Sequence, residues 1–361
     1  MLTPSDYMTR ALALAARGRG RTSPNPLVGA VIVSPDGVVV GQGFHERIGE
    51  AHAEVRALEE AGGRAKGATL YCTLEPCSHQ GRTPPCATRV VEAGITRVVA
   101  ATGDPNPLVD GQGFAFLRAR GVSVVTGVGE DAAVAINQPF FTLMRTGRPF
   151  VVLKAATSLD GRIARAPGQR TSLTSAEANR HAQRVRAEVD AIGVGVGTVL
   201  IDDPRLTARD VYRERPLVRV IFDRQLRTPP EARVLSTREA GPVIIVTTAA
   251  GAADATRRRR LEERCVEIDV APDGSLGAAL RQLGRRGVTS ILIEGGAAIH
   301  RAAWDEDLVD YVRVYVTPHV FGPDGVPLFG GRPFVPTSLL GRHVELAGPD
   351  VIIEGYVHRP R

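Results

Sequence analysis

Lysine is almost missing from this chain: Lys66 and Lys154 are the only two among 361 residues. The formal net charge of +6 is therefore carried by arginine, whose rigid fork suits phosphate groups. Cysteine is scarce too. Four residues do not make a disulfide framework, and a reducing compartment fits them best. No run of 18 apolar residues occurs, so no membrane-spanning helix is expected. The opening Met1-Leu-Thr-Pro-Ser-Asp6 lacks the charged start and apolar core of a signal peptide. These absences point to a cytoplasmic protein with no membrane partner. The longest basic run, residues 257–260, is followed by Glu262 and Glu263 and reads as a solvated helix face, which argues against a nucleic-acid partner.

What is present centres on His52-Ala-Glu54, Pro76-Cys77 and Cys86. One imidazole and two thiolates make a three-ligand set for Zn²⁺, with the fourth tetrahedral position left for water. Glu54 stands two residues after the histidine, where it can pass protons without binding the metal. The order resembles the signature of zinc nucleobase deaminases, although eight residues separate the two cysteines here where that signature has two. A closed structural zinc site would need a fourth ligand, and Cys72 and His79 are both near enough in sequence. Cys72 falls in a buried-strand pattern and reads as a core thiol. His79 falls in the polar loop between the thiolates, better placed to meet a substrate.

A length of 361 residues and an apolar fraction of 43% predict two packed domains. A helix over residues 5–17, with Ser5 as its cap, is followed by strands at 28–33 and 38–40 joined by Pro35-Asp-Gly37. The glycine-bearing segment 41–49 leads to a helix from about Ala51 to Gly62, then a strand around Tyr71 and a helix from Cys86. Strands at 97–101 and 122–126 and helices at 114–120 and 131–144 complete a mostly parallel sheet covered on both faces. The boundary is placed at the polar turn Thr146-Gly-Arg-Pro149, giving domains of 1–146 and 147–361. The second domain reads as α/β, with strands at 150–155, 191–194, 218–222, 243–246, 290–293 and 311–316. Its helices are expected at 175–187, 254–264, 276–283 and 297–303.

The second half carries weaker signals. Gly193-Val-Gly-Val-Gly-Thr198 and Glu294-Gly-Gly-Ala-Ala298 are turns that can bring backbone N–H groups to a pyrophosphate, or tight turns with no ligand. Asp202 and Asp203, beside Arg205 and Arg209, can hold a sugar phosphate or form surface ion pairs. Lys154 interrupts an apolar strand, so it either snorkels to the strand edge or faces a polar cleft.

Over nearly its whole length the chain resembles the bifunctional deaminase/reductase of riboflavin biosynthesis. The motifs that carry the resemblance in the first half are Pro24-Asn-Pro-Leu-Val-Gly-Ala30, His45 through Glu54, Thr73-Leu-Glu-Pro-Cys77 through Cys86, and Asp104-Pro-Asn-Pro107. In the second half they are Ser158-Leu-Asp-Gly161, Gly197-Thr-Val-Leu-Ile-Asp-Asp-Pro204 and Ile293-Glu-Gly-Gly296. The long thiolate loop matches this family's pattern.

The resemblance implies a cytidine-deaminase-like three-layer domain followed by a dihydrofolate-reductase-like α/β domain. It implies Zn²⁺ on His52, Cys77 and Cys86, with Glu54 as proton shuttle, and NADPH in the second domain. Ala156, Ser172, Thr198, Asp202, Gly296, Ala297 and Ala298 fall at cofactor positions. Arg170, Arg186, Leu206, Arg209 and Glu294 fall at substrate positions, as do Asn25, His45 and His79 in the first half. Lys154 and Asp202 join Glu54 as expected catalytic residues. Ser172 is a departure, since relatives can carry a tryptophan there. The implied partner is a small phosphorylated pyrimidine, and a homo-oligomer is expected.

Overall fold

The computed structural model describes residues 2–78, 85–331 and 334–359. Residues up to Thr146 and residues Gly147–Arg359 form two compact units. The first opens with α1 (Pro4–Ala16). Its cap is Thr3, not Ser5: Thr3 and Asp6 bond each other's backbone amides, and Pro4 suits the first helical position. The strands are β1 (Gly29–Val33), β2 (Val39–Phe44), β3 (Thr69–Cys72), β4 (Arg97–Ala100) and β5 (Ser123–Thr126). The helices are α2 (Ala53–Ala61), α3 (Cys86–Glu92), α4 (Gln112–Arg118), α5 (Glu130–Ile136) and α6 (Gln138–Thr146).

The strands pair in the order β2-β1-β3-β4-β5, antiparallel through the first hairpin and parallel from β3 onward. Strand alternation decides the layers. Ala30, Ile32, Leu70, Cys72, Val98 and Ala100 face α2, α3 and α4, whereas Val31, Val33, Tyr71 and Val99 face α1 and α5. The result is a three-layer unit.

At two places the local structure differs from the sequence expectation. The glycines at 41 and 43 lie inside β2, not in a leading segment, because α2 packs close to this strand. A Cβ on Gly41 would stand 2.2 Å from the Ala57 carbonyl oxygen, and one on Gly43 2.6 Å from that of Ala53. The single helix expected over 131–144 is two, because Asn137 interrupts it. The buried Asn137 amide donates to the Leu27 carbonyl at 2.9 Å and accepts from the Leu27 N–H at 2.7 Å, a side chain imitating a strand partner.

In the second unit the strands are β6 (Phe150–Ser158), β7 (Arg162–Ala164), β8 (Ala191–Gly195), β9 (Val218–Phe222), β10 (Val243–Thr247), β11 (Glu267–Val270) and β12 (Ser290–Glu294). They continue with β13 (Tyr311–Thr317), β14 (Val326–Pro327), β15 (Leu340–Ala347) and β16 (Asp350–Tyr356). The helices are α7 (Ala176–Glu188), α8 (Val196–Asp202), α9 (Arg233–Ser236), α10 (Ala249–Ala252), α11 (Ala255–Glu262), α12 (Leu276–Arg285) and α13 (Ala297–Asp305).

A nine-stranded sheet runs β11-β10-β9-β8-β12-β6-β13-β16-β15, parallel as far as β13, with β16 and β15 antiparallel at the edge. Its core lies on both faces, under α12 and α13 on one side and α7, α8 and α11 on the other. The edge hairpin β15–β16 carried no sequence assignment. Val344 and Leu346 of β15 are exposed, so apolar spacing there does not mark a buried face. The carboxyl ends of β6, β8 and β12 lie together, beside the starts of α8 and α13. Ligands bind at such a place in open α/β sheets.

Candidate functional site

The first site is assembled by two helix starts. His52 is the N-cap residue of α2, with extended backbone, and Cys86 is the first residue of α3. Cys77 follows β3, and its carbonyl accepts from the Ala87 N–H at 3.0 Å, which ties this segment to α3. His52 Nδ1 lies 3.2 Å from Cys86 Sγ and 3.6 Å from Cys77 Sγ. The Cys86 N–H points at Cys77 Sγ from 3.4 Å, and helix starts of this kind favour thiolates.

Zn–S bonds of about 2.3 Å and Zn–N bonds of about 2.0 Å place tetrahedral donors roughly 3.5–3.8 Å apart. The His52–Cys77 distance falls within this range and the His52–Cys86 distance about 0.3 Å short of it, so the three side chains suit zinc after a small adjustment. Among the described residues they are also the one His/Cys/Asp/Glu group whose ligand atoms converge, all within 4.8 Å of one another. Cys72 is buried in β3 with its thiol toward the Val99 carbonyl, outside this group.

Glu54, in the first turn of α2, is buried, and its Oε2 has no hydrogen-bond partner. Burial raises its carboxyl to about 7, and the Cys77 thiolate adds to the rise while His52 opposes it. Glu54, His52 and Cys77 line a cavity of about 330 Å³ together with Asn25 and His45. The buried His45 ring donates from Nδ1 to the Ala51 carbonyl, 3.3 Å away, leaving Nε2 to accept from the Asn25 amide at 3.1 Å. Burial first, then the neighbouring His52 and Arg56 charges, hold His45 below the usual histidine range. His79 lies outside the described residues.

Asp104 and Asn106 also line this cavity and were not singled out as site residues from the sequence. Their signal was the Asp-Pro-Asn-Pro motif, in which two prolines fix a turn and the polar pair is left to point inward. Burial lifts the Asp104 carboxyl to about 6, and its Oδ1 accepts from the Asn106 N–H at 2.8 Å.

The second site is a cavity of about 800 Å³ at the carboxyl ends of β6, β8 and β12. All thirteen residues expected there from the sequence line it. Lys154 and Glu294 are register partners on β6 and β12, with Lys154 Nζ 3.9 Å from the Glu294 carboxylate. Arg186 reaches over from α7 and grips Glu294 through two bonds of 2.7 Å, while also donating to the Thr207 carbonyl at 2.9 Å. Burial pushes the Glu294 carboxyl up, but the Arg186 and Lys154 charges outweigh it and hold the group at about 2. Burial lowers Lys154, whose ammonium also stands 5.2 Å from the Tyr315 ring centroid.

Asp202 closes α8, and burial raises its carboxyl against the pull of Arg170. Gly295 and Gly296 both have positive φ, and Cβ atoms on them would stand 3.4 and 3.2 Å from Thr198 Oγ1. This turn leads into α13, where Ala297 and Ala298 form the first turn. Ala156 lies on β6, Ser172 and Arg170 on the segment before α7, and Leu206 and Arg209 on the loop after α8. Sequence reasoning missed His300, which is buried behind the glycine turn and accepts the Gly295 N–H at 3.0 Å. A lone histidine within a helix gives no sign of this.

Two family models match the chain. That of the cytidine and deoxycytidylate deaminase zinc-binding region covers residues 1–102, and that of the RibD C-terminal domain covers residues 149–353. The riboflavin biosynthesis protein RibD of Aquifex aeolicus is 43% identical over 317 residues, which is 88% of this chain and 87% of that protein. Its namesake from Escherichia coli is 41% identical, with 88% of each chain covered.

Acinetobacter baumannii RibD superposes with a TM-score of 0.85 at 37% identity, covering 97% of this chain and 98% of its own. The Thermotoga maritima diaminohydroxyphosphoribosylaminopyrimidine deaminase/5-amino-6-(5-phosphoribosylamino)uracil reductase gives 0.83 at 35% identity, with 97% of each chain covered. The chain belongs to the RibD family of riboflavin biosynthesis, bifunctional enzymes that join a zinc-binding deaminase domain to a reductase domain.

Proposed function

We propose that the first unit hydrolyses the 2-amino group of 2,5-diamino-6-ribosylamino-4(3H)-pyrimidinone 5′-phosphate. The second unit then reduces the ribosyl group of the product to ribityl with NADPH. The observation that carries the reading is Glu54, a buried carboxylate with a free oxygen that shares one cavity with His52 and Cys77 of the metal-ligand group.

In this reading His52, Cys77 and Cys86 hold one zinc ion. When bound, it supplies a Lewis acid that makes water ionisable near pH 7. Glu54 accepts the proton of the attacking water on Oε2 and returns it to the leaving nitrogen, so a C–O bond forms as the C–N bond breaks and ammonia departs. A buried carboxyl with one oxygen free of partners is placed for both transfers. Asn25 and His45, already bonded to each other, fix the pyrimidine against that carboxylate. His79 is assigned to the same substrate from its place in the sequence.

In the second unit a bound nicotinamide supplies the hydride, and the residues of the chain orient and protonate. Thr198, Asp202 and the turn from Gly296 to Ala298 hold the cofactor, with Ala156 and Ser172. Arg170, Arg186, Leu206 and Arg209 hold the phosphorylated sugar, with Glu294. Lys154, its ammonium destabilised by burial, gives a proton to the opened sugar, and Asp202 and Glu294 keep its hydroxyls in place.

A cytoplasmic setting is supported by four free cysteines and, among the described residues, no helix long and apolar enough to cross a membrane. A homo-oligomer is supported by the exposed Val344 and Leu346 on the edge strand β15, and light scattering tests it. The deciding experiment supplies the diamino substrate with and without NADPH and identifies both products by mass. Ammonia release without NADPH, followed by a ribityl product only with it, is the expected result. A single product under both conditions rules the two-step reading out.

A further inference from the structure

We propose that Glu75 is a positioning residue for deamination: its carboxylate holds the loop that carries Asp104 and Asn106 at a set distance from the metal-ligand segment. The inference rests on the deaminase reading of the first site. Glu75 is 3% exposed and stands two residues before Cys77. Four backbone N–H groups point at it. Oε1 accepts from Gly113 at 2.8 Å and Phe114 at 3.1 Å, and Oε2 accepts from Gly111 at 3.0 Å and Asp104 at 3.3 Å.

Part of this is helix capping supplied from a distance. The N-cap of α4 is Gly111, in the left-handed region with φ +80°, and no side chain of its own caps the helix. The N–H groups of Gly113 and Phe114 in that first turn are buried and would lack an acceptor without Glu75. Capping accounts for three of the four donors. The fourth, the Asp104 N–H, lies seven residues before Gly111 and belongs to no helix. One carboxylate therefore closes the loop at both its entry and its exit.

The closure is tight. A Cβ on Gly113 would stand 2.0 Å from the Pro76 carbonyl oxygen, so α4 rests directly against the segment that ends in Cys77. Between the two clamped ends, Asp104, Asn106 and Val109 reach the cavity shared with Glu54 and His52. The distance from this wall to the reacting atoms is thus set through Glu75, which also lines the cavity. A positioning error of about 1 Å at such a wall can cost on the order of a hundredfold in kcat/KM.

The test is Glu75→Gln in the full zinc-loaded chain. The new NH₂ faces two N–H donors, so at least two of the four bonds are lost. We expect zinc per chain and reductase turnover to stay at the unaltered level, while deaminase KM rises about tenfold or more and kcat falls less. In an Asp104→Asn background the same change should raise KM by a much smaller factor, because its effect passes through that loop.

An unchanged KM, or an equal KM effect in both backgrounds, overturns the inference and leaves Glu75 as scaffold. If Glu75→Gln does not fold, Glu75→Asp keeps the acceptor with a shorter reach and should show a smaller KM rise. A normal KM in that variant overturns the inference as well. The unaltered chain is assayed alongside: absence of ammonia there removes the deaminase reading itself, which no Glu75 result can do.

Discussion

At the residue scale the first site gives different surroundings to groups that look alike in sequence. Cys72 and Cys77 are five residues apart, yet one thiol lies in the core of β3 and the other faces His52. Cys77→Ser should therefore lose the bound zinc, and Cys72→Ser should keep one zinc per chain. Metal analysis of the purified variants checks this, and equal loss from both would remove the assignment.

Glu54→Gln tests a different role. Glutamine keeps the size and fills the same buried space but cannot carry the proton, so zinc content should hold while ammonia release falls by about 10²–10⁴. A loss of only a few-fold would mean that another group moves the proton. The convergence of His52, Cys77 and Cys86, with Glu54 beside them in one cavity, was legible because their order and spacing follow a metal-ligand pattern. Glu75 and His300 were not, because their partners are backbone amides remote in sequence or hidden within a turn.

At the element scale, legibility followed burial. The strands at 243–247 and 290–294 read clearly because both of their faces are covered, giving the unbroken runs Val-Ile-Ile-Val and Ile-Leu-Ile. β2 was cut short in the reading because glycine lowers strand propensity and the helix above it was invisible. The observed packing explains the glycines and predicts their cost. Alanine at Gly41 must push α2 outward, since its Cβ would meet backbone atoms of Ala57 and Ala61 and not a flexible side-chain end.

Such overpacking costs about 1–3 kcal/mol. His52 and Glu54 sit at the start of the same helix, so the displacement reaches the metal ligands. Gly41→Ala should lower the denaturation midpoint of the first unit and weaken its zinc retention against a chelator, with reductase turnover unaltered. Stability equal to that of the unaltered chain would show that β2 and α2 can separate freely.

At the scale of the whole molecule, two sets of core residues are gathered around two sheets. The clusters under the five-stranded sheet draw only on residues before Thr146, and those around the nine-stranded sheet only on residues after Gly147. Each sheet is covered on both faces by helices of its own unit, so each has what independent folding requires. The second cavity likewise draws every lining residue from beyond Gly147. A chain beginning at Gly147 should therefore fold, bind NADPH and reduce the deaminated intermediate when that compound is supplied directly, with a chelator present throughout. Within it, Lys154→Met and Asp202→Asn should lose turnover, whereas Arg209→Ala should chiefly raise KM for the phosphorylated substrate. If the shortened chain folds but reduces the intermediate only when the zinc-loaded first unit is added back, the reductase site is incomplete by itself and the separation into two catalytic units fails.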